Sequence, residues 1–404
     1  MKKKVLIVTH FMEIGGAERA LLGLLNGFDY SKYEVSLFLF RHEGELFPLI
    51  PKEVYLLPTI DQYATLARPI SGVAREGHYL LAFSRIIGKL SAKIYDSIHH
   101  YGTSSEVAIE YSHKFTKWLM PEITPDVTYD LAISFLTPHY FVAEKVKARK
   151  KIAWIHTDYS FVQIDVKSEM KMWNRYDHIV AISEACEESF VQCFPELRQK
   201  MIRMENLLSI DFLQSQVKMP VPERLQNDGK ITLLSIGRFC TAKNFDNIPD
   251  ICRRILEKGI DVIWYIIGFG ADEKLIQQKI LESHMEENVI LLGKKENPYP
   301  YVAMCDWYIQ PSRFEGKAVT VREAQALHKP VIIANYPTAK SQLIDGYDGI
   351  IVPQDNENCA KAIAAILKNS ALKETLIKNT YHVDYSNSME MKKLYNLMGE
   401  NDDT

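Results

Sequence analysis

Two glutamates eight positions apart stand in the stretch Ser312-Arg313-Phe314-Glu315-Gly316-Lys317-Ala318-Val319-Thr320-Val321-Arg322-Glu323-Ala324. The stretch follows an apolar run over 307–310 that reads as a strand, and it leads into a helical pattern as far as Leu327. A loop between strand and helix presents backbone N–H groups at the helix N-terminus, where the aligned peptide dipoles favour a diphosphate. Carboxylates are poor phosphate ligands but good acceptors for hydroxyls, so Glu315 and Glu323, flanking the phosphates, suit a transferred sugar and a ribose. A bare pair of glutamates at this spacing is equally a helix-start residue and a solvated one; its strand–loop–helix setting distinguishes it here. Three other places share that setting. Gly237-Arg238-Phe239-Cys240-Thr241-Ala242-Lys243 ends the run 231–236, Gly15-Gly16 follows the run 5–9, and His156 ends the run 151–155. Lacking Cβ atoms, Gly15 and Gly16 let backbone approach a ligand closely. The dinucleotide-binding G-x-G-x-x-G spacing is absent from that turn, which argues against a dehydrogenase. His156 places a polar ring at a sheet edge, where open α/β sheets bind ligands.

These residues need parallel sheets to hold them. β-branched runs over 5–8, 35–40, 131–135 and 151–155, then 231–236, 262–267, 289–292 and 331–334, alternate with helical patterns. The expected fold is α/β, with two Rossmann-like doubly wound parallel-sheet domains facing across a cleft. Their expected bounds are 1–207 on the acceptor side, 208–379 on the donor side, and 380–404 as a C-terminal helix crossing back to the first domain. Met219-Pro220-Val221-Pro222 and Gln226-Asn227-Asp228-Gly229 suit an exposed linker near the boundary. Helical patterns at about 63–120 interrupt the first half; the segment 381–398 also reads as helical, and residues 401–404 are expected to fray.

With 404 residues, 47% hydrophobic and 25% charged, the chain can fill two cores. A formal net charge of -3 provides no global attraction to nucleic acid, so an anionic ligand needs a local basic cluster. The six cysteines lack C-x-x-C pairing and read as thiols in a reducing compartment. The apolar run after Met1 is too short for a signal peptide, and no stretch spans a bilayer, so a cytoplasmic location is expected. Arg68, Arg75, Arg85, Lys89 and Lys93 among aromatics make the 63–120 insertion a candidate acceptor surface and a peripheral membrane contact at the inner face. A solvated helical pair covering the sheet is the alternative.

Phe314-Glu315-Gly316 followed by Glu323-Ala324, with Gly237-Arg238 and Lys243, resembles the signature of glycosyltransferase family 4, retaining enzymes of GT-B fold. The resemblance implies transfer of a hexose or N-acetylhexosamine from a nucleotide diphosphate sugar, with UDP preferred, to a glycan or lipid-linked saccharide in bacterial cell-surface polysaccharide or glycoconjugate synthesis. Catalytic roles fall to His156 at the donor sugar, Arg238 and Lys243 on the diphosphate, and Glu315. The donor-binding set implied is Gly15, Gly16, Gly237, Gly268, Lys294, Gly316, Lys317, Ala318, Val319 and Glu323, with Gly268 and Lys294 at the nucleobase. Neither a metal nor another cofactor is expected: fixed cations stabilise the leaving group, and no D-x-D pair of the metal-dependent kind stands out. Three positions depart from the pattern: Lys317 where an aromatic is usual, and Ala318 and Asn244 where glycine is usual. A noncatalytic GT-B partner subunit, a sugar-nucleotide epimerase and a phosphorylase are the competing readings.

Overall fold

The computed structural model describes residues 2–102, 105–225 and 229–399. The chain divides into two compact units, Met1–Leu207 with Asn387–Thr404, and Leu208–Ser386.

The first unit is built on seven strands: β1 (Lys3–Thr9), β2 (Tyr33–Leu39), β3 (Tyr55–Leu56), β4 (Tyr129–Ser134), β5 (Ala148–Ile155), β6 (His178–Ala181) and β7 (Met201–Arg203). They form one sheet in the order β3-β2-β1-β4-β5-β6-β7, with every pairing parallel. Val5, Leu6 and Ile7 are consecutive and all fully buried, because helices cover both faces of a parallel sheet. One of these, α1 (Gly16–Asn26), buries Leu21, Leu22, Leu24 and Leu25. Strand order reverses between β1 and β4, where connecting loops diverge at the C-terminal edge. The Gly15-Gly16 turn lies after β1, and His156 follows β5 directly.

Within the insertion, α2 (Tyr79–His99) lies against α3 (Val107–Thr116). The two come so close at Gly88 that a Cβ there would stand 2.9 Å from the Tyr111 carbonyl oxygen. Ala92, Val107 and Tyr111 form the small core between them. Two shorter helices, α4 (Tyr140–Lys145) and α5 (Val166–Trp173), follow β4 and β5; the Asp165 side chain caps α5 by accepting from the Ser168 N–H at 3.0 Å.

The second unit holds β8 (Ile231–Ile236), β9 (Val262–Ile267), β10 (Val289–Gly293), β11 (Trp307–Gln310), β12 (Val331–Ala334) and β13 (Ile350–Val352), in the order β10-β9-β8-β11-β12-β13 and parallel throughout. Successive residues of a strand point to opposite faces. Leu233, Trp264, Trp307 and Ile332 accordingly enter one core, and Leu234, Tyr265, Tyr308 and Ile333 the other. The order reverses between β8 and β11, so the loops leaving those two strands open the natural ligand crevice of this sheet. Helices α6 (Tyr299–Met304) and α7 (Val319–Ala326) flank β11 in sequence.

The units divide at Leu207–Leu208, upstream of the proline-rich stretch at 219–222. The segment Ile210–Val217 is already a helix of the second unit: its Leu213 is buried with Tyr299, Ala326 and Tyr385. Residues 226–228 and 401–404, read as part of a linker and as a fraying end, lie outside the described residues. The helical reading of 381–398 is corrected: only α8 (Glu390–Leu397) is helical. The preceding segment leaves the helical path where Asn387 takes a left-handed conformation with φ 56, while Tyr385 is buried with its hydroxyl on Asp348 at 3.0 Å. Helix α8 packs on the first unit, where Tyr395 stacks on Tyr33 at 4.7 Å between ring centroids.

Candidate functional site

In the second unit the loops after β8 and β11 are tied together. Arg313 holds Asp246 with two hydrogen bonds at 2.9 and 2.8 Å, and donates to the Thr241 carbonyl at 2.7 Å. The Arg313 N–H also donates to the Ala242 carbonyl at 2.8 Å. This bidentate pairing fixes both position and orientation, and brings Lys243 onto Glu315, with Nζ 2.5 Å from Oε1. Two neutral donors meet the same oxygen: Ser312 Oγ at 2.6 Å and Gln310 Nε2 at 3.3 Å. Behind them, the Tyr308 hydroxyl donates to Gln310 Oε1 at 2.8 Å, and Gln310 Nε2 donates to Ser312 Oγ at 2.9 Å. Tyr308, Gln310 and Ser312 are fully buried. A satisfied buried chain of this kind is rigid. It anchors the Glu315 carboxylate through Oε1, while Oε2 makes no hydrogen bond with a described residue. Thr338 Oγ1 holds the Glu315 carbonyl at 2.6 Å.

Glycines set the shape of the loop after β8. A Cβ on Gly237 would press on the Lys243 stem at 3.3 Å. One on Gly268, after β9, would stand 1.9 Å from the Gly237 carbonyl oxygen and 2.8 Å from the Phe239 ring. The two strand ends therefore close up only with glycine at 268. Asn244 has φ 62 and ψ 23, the left-handed region that glycine enters freely and asparagine tolerates. Its side-chain amide donates to the Pro311 carbonyl at 2.9 Å. Arg238, beside Gly237, is exposed and takes part in no ion pair or side-chain hydrogen bond found among the described residues. Lys294, exposed after β10, lies over the Phe269 ring at 5.1 Å.

The start of α7 departs from the expectation of an open anion site. Ala318 is buried in the core, and its N–H donates to Gln342 Oε1 at 2.8 Å, so that amide is already engaged. No side chain caps the helix, which opens at Val319. Around Gly316 there is open space, with no atom within 4 Å of where a Cβ would stand; Lys317 is half-buried beside it. Glu323 does not stand open at the rim: it is 1% exposed and accepts from the Tyr299 hydroxyl at 2.7 Å. Sequence reasoning missed Gln310, Ser312, Arg313, Thr338 and Tyr299. A polar residue ending the apolar strand β11 was the available signal for Gln310; the partners of the others lie too far along the chain to be read.

In the first unit, no atom lies within 4 Å of a Cβ built on Gly16, and one on Gly15 would meet only the flexible end of Glu18. His156 has Nε2 buried with no partner among the described residues. Burial lowers its pKa to about 4, partly offset by a hydrogen bond with the Phe135 backbone, so the ring is neutral at pH 7. His156 also lines a cavity of about 300 Å³ that none of the sequence motifs announces. No group of three or more His, Cys, Asp or Glu side chains among the described residues is arranged to hold a metal ion. No helix among them is long and apolar enough to cross a membrane.

Residues 221–383, which contain the whole Lys243–Glu315 arrangement, match the family Glycosyl transferases group 1. Among curated relatives of this chain, an uncharacterised glycosyltransferase of Methanocaldococcus jannaschii is 24% identical over 61% of this chain and 74% of its own length. The N-acetylgalactosamine-N,N'-diacetylbacillosaminyl-diphospho-undecaprenol 4-alpha-N-acetylgalactosaminyltransferase of Campylobacter jejuni is 32% identical over 31% of this chain and 34% of its own length. The crystal structure of HepE from Anabaena in complex with UDP and glucose matches 99% of this chain and 100% of its own, with a TM-score of 0.68 at 14% identity. The chain thus has the GT-B fold, with its two parallel sheets.

Proposed function

We propose that this chain is a retaining, metal-independent enzyme that transfers a hexose or N-acetylhexosamine from a UDP-sugar to a glycan or lipid-linked saccharide, in bacterial cell-surface polysaccharide or glycoconjugate synthesis. The observation that carries the reading is the carboxylate of Glu315, pinned at one oxygen by Lys243, Ser312 and Gln310 and open at the other. A carboxylate held this way accepts from a sugar hydroxyl without reorganising. Lys243, paired with that carboxylate, and the exposed Arg238 are assigned the positive charge for the diphosphate. In the reaction, the acceptor oxygen bonds to the anomeric carbon on the face from which the diphosphate departs. The carbon–oxygen bond to the diphosphate breaks with its electron pair going to the phosphate, and that phosphate oxygen takes the acceptor proton. Neutral His156 is assigned to a donor-sugar hydroxyl. The UDP choice draws on the HepE complex, and the lipid-linked acceptor on the name of the Campylobacter relative. The deciding experiment incubates the protein with UDP-, GDP- and ADP-sugars in EDTA and follows products by NMR. Slow release of free sugar and UDP, with the α anomer first from an α-linked donor, is expected. Epimerised donor, or no turnover with any donor, sinks the reading in favour of an isomerase or a noncatalytic subunit.

A lipid-borne acceptor also accounts for α2. Leu80, Phe83, Ile87, Leu90, Ile94 and Ile98 repeat at helical spacing along one side, and all are exposed, from 37% at Ile87 to 71% at Leu80. Lys89 and Lys93, also exposed, flank that stripe. Apolar side chains bordered by lysines fit the surface of an anionic bilayer. The protein is expected to sediment with phosphatidylglycerol vesicles and to be released by Phe83→Ser with Leu90→Ser. A dimer in solution that the same changes split into monomers, with no vesicle binding, would assign the stripe to self-association instead.

A further inference from the structure

The 300 Å³ cavity lies within the first unit, lined by residues of α3, α4, α5 and the segments that follow β4 and β5. Its volume is at the lower end for small-molecule pockets, about 300–1,000 Å³, and suits one ring rather than a nucleotide. Three lining residues keep a buried polar atom with no partner among the described residues: Trp154 Nε1, Glu110 Oε2 and His156 Nε2. Trp154 is 1% exposed and Glu110 8%. Glu110 is held from behind, its Oε1 accepting from the Tyr140 hydroxyl and from Ser168 Oγ at 2.8 Å, which leaves Oε2 to something else.

Unmatched buried polar atoms are uncommon and call for a partner. Here they comprise one indole donor, one carboxylate acceptor and one imidazole nitrogen, walled by the rings of Trp154, Trp173, Tyr140 and Tyr159. No lysine or arginine lines the cavity, so a phosphate or carboxylate entering it would lose its hydration with no cation to replace it. Burial keeps His139 and His156 neutral at pH 7, so they add no cation. An apolar guest would leave the indole N–H and the carboxylate oxygen unpaired. What remains is an uncharged ring bearing hydroxyls, whose C–H face lies on aromatic walls while its hydroxyls meet the Trp154 indole N–H and the open Glu110 oxygen, His156 Nε2 being left to the donor sugar.

We propose that this cavity binds the terminal sugar ring of the acceptor, uncharged and hydroxylated, with Glu110 and Trp154 as specificity-determining residues. The proposal rests on the glycosyltransferase reading for the word acceptor; the binding of a neutral sugar does not. Its test is saturation-transfer NMR on the full chain, without nucleotide, using the methyl glycosides of glucose, galactose, N-acetylglucosamine and N-acetylgalactosamine. At least one glycoside is expected to show saturation transfer that Glu110→Gln and Trp154→Phe each weaken, with melting curves recorded to confirm that the variants fold. In transfer assays the same changes should raise the acceptor KM at least tenfold against a donor KM that moves less than threefold. No saturation transfer from the wild-type chain to any glycoside would mean that the cavity holds only water, and the proposal falls. So too if folded Glu110→Gln and Trp154→Phe bind glycoside as the wild type does. Donor hydrolysis run in parallel separates the two ideas, since its absence would defeat the transferase reading while the NMR result stands alone.

Discussion

Arg238→Ala is the change that most directly separates a binding charge from a structural one. Arg238 is exposed and paired with no described residue, so its removal should shift unfolding free energy by no more than about 0.5 kcal/mol. In a unit of this size that is roughly 1–2 °C in melting temperature. If the guanidinium stabilises the charge gathering on the departing diphosphate, kcat for transfer or donor hydrolysis should fall about a hundredfold, which is about 2.7 kcal/mol. Lys243→Ala gives the contrast. Its ammonium is 2.5 Å from a Glu315 carboxylate that is only 9% exposed, so its loss leaves that anion held by Ser312 and Gln310 alone. Activity should fall as far as in Arg238→Ala, but with about 1–3 kcal/mol of stability lost as well, since removing one partner leaves a poorly solvated charge behind. Differential scanning calorimetry with initial-rate kinetics on both variants is sufficient. Wild-type turnover in folded Arg238→Ala refutes the assigned role, and so does an activity loss that tracks a comparable loss of stability.

The glycines divide in the same way. Gly268→Ala places a methyl group 1.9 Å from the Gly237 carbonyl oxygen and should destabilise the second unit by about 3 kcal/mol or more. Gly316→Ala meets nothing within 4 Å, so its melting temperature should hold while the donor KM rises; an unchanged KM would mean that no donor approaches the backbone there. Acid should weaken the first unit. Burial holds His10 and His156 at about 4 and His113 and His139 at about 3, against 6.5 when unfolded. As pH falls from 6.5 toward 4, the unfolded chain therefore takes up protons that the folded one refuses. Each histidine costs up to about 1.4 kcal/mol per pH unit there. Glu169, raised by burial to about 8, acts the other way, adding stability as pH falls from 8 toward 4.5, as do Glu106 and Glu110, also raised by burial, but these three carboxyls stand against the four histidines and His178, likewise lowered by burial. Urea melts at pH 6.5 and 5 should show the loss, and a flat profile would contradict it.

Apolar strands of the second unit were legible to the residue: 231–236, 262–267, 307–310 and 331–334 each fold as read, because strands buried on both faces of a parallel sheet are runs rich in β-branched and aromatic residues. The strands β3, β7 and β13, of two or three residues, carry too little pattern to stand out from loop. At the site, charge was legible and its support was not. Lys243 and Glu315 are announced by type and spacing, whereas the Tyr308–Gln310–Ser312 chain and the Arg313–Asp246 clamp exist only once β8 and β11 lie side by side. The cavity was invisible for the same reason: its open atoms come from residues 110, 154 and 156, on α3 and at the end of β5.

The three departures from the family pattern now carry unequal weight. Position 244 needs a left-handed backbone, and asparagine meets that need while adding a bond to Pro311 that glycine could not make. Position 318 has φ -76, which any residue adopts, and the alanine methyl is absorbed into the core. Neither substitution asks anything of the donor. Lys317 is different, because it replaces a ring with a cation between Gly316 and the uncapped start of α7. Of the three it is the one that alters charge rather than backbone shape. The identity of the transferred sugar is therefore better sought by changing Lys317 to an aromatic and screening donors than by changing either of the other two.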